Sequence, residues 1–133
     1  MSKRPRVARR PLPTEGELEI LQVLWRLGPS TVRDIHSELE RKRTVGYTTV
    51  LKLLQIMHNK RLVVRDDAER AHRFAAAAPP EETERGIVRA FADRVFGGSP
   101  TRLVLRALSA HRPSRAELDE IRRLLDRVEA VEE

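Results

Sequence analysis

Apolar residues return along this chain at helical spacing, and each stripe is bracketed by residues that start or stop a helix. Leu18, Leu21 and Trp25 recur at i, i+3 and i+7, with Leu24 broadening the stripe. Thr14 and Glu17 form a capping box at its start, because the hydroxyl accepts from one free amide while the carboxylate reaches back to another. Gly28-Pro29 closes the segment, and Trp25, lying on the stripe, is expected in the core. Ser30 or Thr31 caps a second helix, in which Val32, Ile35 and Leu39 repeat the spacing ahead of the basic run Arg41-Lys42-Arg43.

A third helix is predicted over 47–60. At about 100° per residue, Val50, Leu54 and Met57 share one face with Leu53 beside it, while Thr48, Lys52, Gln55 and Asn59 gather on another within about 60°. The second face holds hydroxyls, amides and an ammonium and no carboxylate, which suits base edges and phosphates. By itself it reads first as a solvated polar face. Two β-like runs follow, 62–64 and 71–74, around the charged turn 65–70. The order helix, helix, helix, strand, strand is that of a winged helix, whose third helix enters the major groove while the hairpin reaches the flanking backbone. Arg70 and Arg73 either contact phosphates or pair with Asp66 and Asp67.

Past the hairpin, the alanine and proline stretch 75–80 reads as a broken joint rather than a strand, and three more helical segments follow. Ile87, Phe91 and Val95 repeat at four-residue spacing before Gly97-Gly98. Ser99 with Pro100 caps a segment containing Leu103, Val104, Ala107 and Leu108. Ser114 with Glu117 is a second capping box, and Leu118, Ile121, Leu125 and Val128 form a continuous stripe behind it. A region this short, with one stripe per helix, leaves much apolar surface wet unless a second copy covers it. A two-fold dimer with Phe91, Val95, Leu103, Leu108, Leu118, Ile121, Leu125 and Val128 at its interface is therefore expected. The alternative is that these helices fold back on their own winged helix.

Composition narrows the function. The 133 residues contain no cysteine, which removes disulfides, thiolate metal sites and thiol catalysis. His36, His58, His72 and His111 show no metal-ligand spacing, and there is no phosphate loop or nucleophile–base constellation; no enzyme activity, metal or cofactor is expected. No apolar run approaches the length of a membrane span, and the basic N-terminus lacks a signal-peptide core, so a cytoplasmic protein without membrane contact is expected. The net charge of +6 favours a polyanion. Five basic residues and no acidic ones fall within the first thirteen positions, a tail that either touches phosphate or solubilises the chain.

The stretches LPTEGELEILQVLWRLGPSTVRDIHSEL, VGYTTVLKLLQIMHNKRLVVRDD and RAHRFAA resemble the penicillinase repressor family, the BlaI/MecI/CopY group of winged-helix regulators. The resemblance is closest over 12–76, and FADRVFGGSPTRLVLRAL looks like the family's dimerisation segment. It implies a homodimeric repressor on palindromic double-stranded DNA, with Thr48, Thr49 and Lys52 toward bases and Tyr47, Arg43 and wing residues on the backbone. The helical wheel adds Gln55 to the base-facing set. The predicted organisation is mainly α: a basic arm over 1–13, a winged helix-turn-helix with a two-stranded wing over 14–76, and a three-helix dimerisation region over 77–133.

Two departures from the family stand out. Without cysteine, the metal-binding cluster of the copper-responsive branch is excluded. The resemblance also implies a sensor-linked protease as a partner, cutting at an Asn-Phe bond whose counterpart here is Arg106-Ala107. A pocket shaped for an aromatic gains little from alanine, so the inducing signal stays open. The reading from another class is a winged helix used as a protein-interaction module; Thr48, Lys52, Gln55 and the basic arm speak against it.

Overall fold

A computed structural model describes residues 11–68 and 70–132; the basic arm up to Arg10 and Glu69 of the wing turn lie outside the described residues. The chain divides into two compact units, 1–87 and 88–133.

The first unit contains α1 (Glu15–Leu27), α2 (Val32–Glu40), α3 (Tyr47–Asn59), β1 (Val63–Asp66) and β2 (Arg73–Ala76). The helix ends are set locally. Thr14 and Glu17 make the reciprocal box that the sequence predicts, and Gly28, at φ 82°, closes α1 in a conformation that favours glycine. Thr31, rather than Ser30, caps α2 and forms a second box with Asp34. The Ser30 backbone instead exchanges hydrogen bonds of 2.9 and 2.8 Å with Phe74, adding a bridge beside the hairpin.

Ile20, Leu21 and Leu24 of α1, Ile35 and Leu39 of α2, and Val50, Leu54 and Met57 of α3 meet Leu62, Val63 and Phe74 in one core. Burial of each such side chain contributes about 1.5–3 kcal/mol against exposure, which outweighs the weak intrinsic stability of helices this short. Trp25 packs against this core half-buried, and its indole Nε1 donates to Ala78 O at 2.9 Å. That bond ties the residues beyond β2 to α1.

The wing differs in register from the expected runs 62–64 and 71–74. The strands pair antiparallel with Val63 opposite Ala76 and Asp66 opposite Arg73, so the hairpin continues into residues read as a joint. Tertiary pairing overrides the low strand propensity of Ala75 and Ala76, because Phe74 must be buried and bridged to Ser30. The tight passage from α3 to β1 puts Arg61 at φ 65°, where a side chain is strained.

α4 (Pro80–Val95) starts in the first unit and ends in the second, which continues with α5 (Pro100–Ala110) and α6 (Arg115–Glu132). Ser99 accepts from Arg102 N at 3.1 Å, with Pro100 in the first turn. Ser114 and Glu117 form the third capping box. Gly97 and Gly98 both take positive φ between α4 and α5. Phe91 packs edge-on to Phe96 at 5.7 Å between ring centroids. Among the described residues past Ile87, only Ala92 is buried. Phe91 and Val95 are 45% and 50% exposed, Leu125 and Val128 55% and 52%. Leu103, Leu108, Leu118 and Ile121 are half-buried, while Val88, Val104, Leu105 and Leu124, outside the expected interface set, are also exposed.

Candidate nucleic-acid interface

α3 is two-faced because its sequence is. Val50, Leu54 and Met57 are fully buried, and Thr48, Thr49, Lys52 and Gln55 are all exposed on the outer side, with Tyr47 exposed at the first turn. No acidic residue occurs in the helix. Gly46 caps it without a side-chain hydrogen bond, so no side chain competes for the first amides at the positive end of the helix dipole.

Both ends of α3 are anchored by groups that the sequence pattern does not reveal. Ahead of the helix, both backbone polar groups of buried Val45 are held by side chains of α2. Its N–H donates to Glu40 Oε2 at 2.7 Å, and its carbonyl lies 2.8 Å from His36 Nε2. The His36 ring stands edge-on to Tyr47 at 5.6 Å, so the same histidine borders a residue expected on the DNA backbone. Behind the helix, Lys60 donates to both carboxylate oxygens of Glu17, at 2.8 and 3.1 Å, and that side chain is only 2% exposed. Burial pushes the Glu17 carboxyl up, but the bonds from Lys60 and Thr14 outweigh it and hold it below the usual carboxylate value. α3 is thus pinned at its far end to the first turn of α1.

The expected backbone contacts are distributed around this helix and differ in their partners. Arg43, in the loop before α3, pairs with Glu19 of α1 at 2.6 Å. In the wing, Asp67 accepts from Arg65 at 2.8 Å and lies 2.7 Å from His72. Asp66 accepts from Ala68 N. Arg70 is exposed and Arg73 half-buried in β2. Asp67 therefore bridges Arg65 of β1 and His72 just before β2. Arg106 and Ala107 are exposed within α5. Among the described residues no His, Asp and Glu cluster is placed to hold a metal, and no helix is long and apolar enough to cross a membrane.

The family model described as penicillinase repressor matches residues 13–127. Proteins described as transcriptional regulator BlaI, from two strains of Mycobacterium tuberculosis, are 35% identical over 119 residues, covering 86% of this chain and 85% of theirs. A penicillinase repressor of Staphylococcus aureus is 18% identical over 111 residues, covering 84% of this chain and 88% of its own.

Proposed function

Since the chain belongs to the penicillinase repressor family and is a DNA-binding transcriptional repressor, we propose that it acts as a homodimer whose two α3 helices read the half-sites of a palindromic operator. The observation that carries this reading is the outer face of α3: Thr48, Thr49, Lys52 and Gln55 are exposed together, free of carboxylates, on a helix whose other face is fixed in the core. Hydroxyl, amide and ammonium groups at this spacing suit base edges in the major groove, where donor and acceptor patterns differ between base pairs. Tyr47, Arg43, Arg70 and Arg73 supply the phosphate contacts that set register without reading sequence.

The region 77–133 supplies the second copy in this reading. Phe91, Val95, Leu125 and Val128 are too exposed for large apolar groups in a finished interface-free structure, and Leu103, Leu108, Leu118 and Ile121 continue the same stripes. Two-fold pairing covers them and places two reading heads on one face of the duplex. The protein works in the cytoplasm, where its repression consists of occupying the operator. A cut in α5 between Leu105 and Ala107 detaches α6 from the rest of the interface and lowers palindrome affinity while the winged helix stays folded, whichever signal ends repression in the cell.

The role of Lys52 has a direct test. Lys52→Ala costs about 1–3 kcal/mol at the cognate site, some five- to 150-fold in Kd, and less on random duplex. Titration of both duplexes at one salt concentration checks this. Equal losses on the two would make Lys52 a phosphate contact and remove it from the base-reading set.

A further inference from the structure

The loop that feeds α3 carries three consecutive cations, Arg41, Lys42 and Arg43, and acidic residues of α1 and α2 engage them. Arg41 donates to Glu38 Oε1 at 3.2 Å, while Glu38 Oε2 accepts from Arg26 of α1 at 2.9 Å. Arg43 reaches α1 instead: its Nη2 donates to Glu19 Oε1 at 2.6 Å, and its Nε lies 3.5 Å from Oε2. The Arg43 guanidinium holds the Glu19 carboxyl below its ordinary value, against some opposing burial, and Lys42 adds to the effect. Glu19 thus offsets charge from two of the three loop cations. The side chains of Arg43 and Glu19 are 50% and 32% exposed, so water reaches the pair and separating it costs little.

A guanidinium fork presents the same pair of donors to a carboxylate and to a phosphate, so the two anions compete for it. We propose that Glu19 is an intramolecular competitor for DNA phosphate: it occupies Arg43 in the free repressor and lowers affinity for any duplex. This rests on the reading of Arg43 as a backbone contact. In the complex, Arg43 either leaves Glu19 or brings a carboxylate up to the phosphate, and both outcomes disfavour binding. Because a phosphate carries no sequence information, the effect is uniform across sequences. It also hides from the salt dependence part of the charge that Arg43 contributes.

The test uses the full-length chain, random-sequence duplex DNA and a series of potassium chloride concentrations from about 50 to 200 mM, the range over which phosphate contacts dominate the salt response. Glu19→Gln keeps the side-chain shape and removes the charge. It is expected to raise affinity about two- to five-fold at the lowest salt, the range of an exposed ion pair. It also steepens the slope of log K against log salt by up to about 0.9, one phosphate contact. Arg43→Gln lowers affinity and flattens the slope, and in that background Glu19→Gln has no further effect. Thermal melts of all variants stay near that of the parent chain. If Arg43→Gln weakens binding but Glu19→Gln leaves it unchanged, the competition is overturned while Arg43 keeps its place on the backbone. A Glu19→Gln variant that binds more weakly overturns it too, since Glu19 would then be orienting Arg43 for DNA. If Arg43→Gln has no effect on affinity or slope, Arg43 is not a backbone contact, and both that assignment and the competition fall.

Discussion

Leu125→Asp leaves the winged helix folded but turns the protein into a monomer that binds a palindrome about 10²- to 10⁴-fold more weakly than the parent chain. Leu125 is 55% exposed in the single chain, so the new carboxylate is solvated in the monomer and costs little there. In a dimer the same carboxylate is buried against apolar side chains without a partner, which is strongly unfavourable. Losing the dimer removes the effective concentration that links the second half-site to the first, and that factor sets the size of the loss. The first unit has its own core, from Ile20 to Phe74, so its melting transition is preserved. Sedimentation at micromolar concentration together with operator titration checks both parts. A variant that stays dimeric places the interface elsewhere, and a parent chain that is already monomeric at micromolar concentration overturns the dimer.

Lys60→Met has the largest expected effect on stability. It strands the Glu17 carboxylate, 2% exposed, with the Thr14 amide as its remaining hydrogen-bond partner. Breaking a buried pair by removing one member costs about 3–5 kcal/mol; the 28% exposure of Lys60 puts this case near the lower end. For a unit of this size that corresponds to a fall in Tm of roughly 12–24 °C. Pairing the substitution with Glu17→Leu recovers part of the loss, because no charge is then left buried, although the capping bond to Thr14 is gone. The pH dependence has a definite sign. The folded-state value of Glu17 lies below its unfolded value. Its stabilising contribution is therefore full above the ordinary carboxylate range and is lost as pH falls through the lower folded value. The gap in Tm between parent and Lys60→Met should accordingly narrow on acidification. A gap that is small at neutral pH, or constant with pH, would mean that the pair does not anchor α3.

Local chemistry was readable from the sequence, and contacts between distant residues were not. The caps at Thr14 and Ser114 depend on side chains three residues apart, so spacing alone reveals them. The same holds for α3, whose buried and exposed faces follow from 100° per residue. Glu17 shows the limit. Its capping role explains its position fully, which hides its second bond to Lys60, 43 residues further along the chain. The hairpin register escaped for a related reason: alanines carry little strand signal, and the bridge from Ser30 to Phe74 that draws them into the sheet comes from the loop before α2. Arg43 read as part of the basic run before α3 and, through the family resemblance, as a DNA-backbone contact. Its pairing with Glu19 needs α1 and the loop before α3 to pack side by side, which no local pattern encodes.

The central claim, that two α3 helices related by two-fold symmetry read DNA sequence, is tested most directly by selecting bound fragments from a random-sequence duplex library with the full-length chain. The enriched fragments are expected to share an inverted repeat whose half-sites lie about one helical turn, or a multiple of it, apart. The enrichment should collapse when Thr48 and Lys52 are replaced together by alanine. A bound pool with no shared sequence, or an enriched motif that survives the double replacement, would contradict the account.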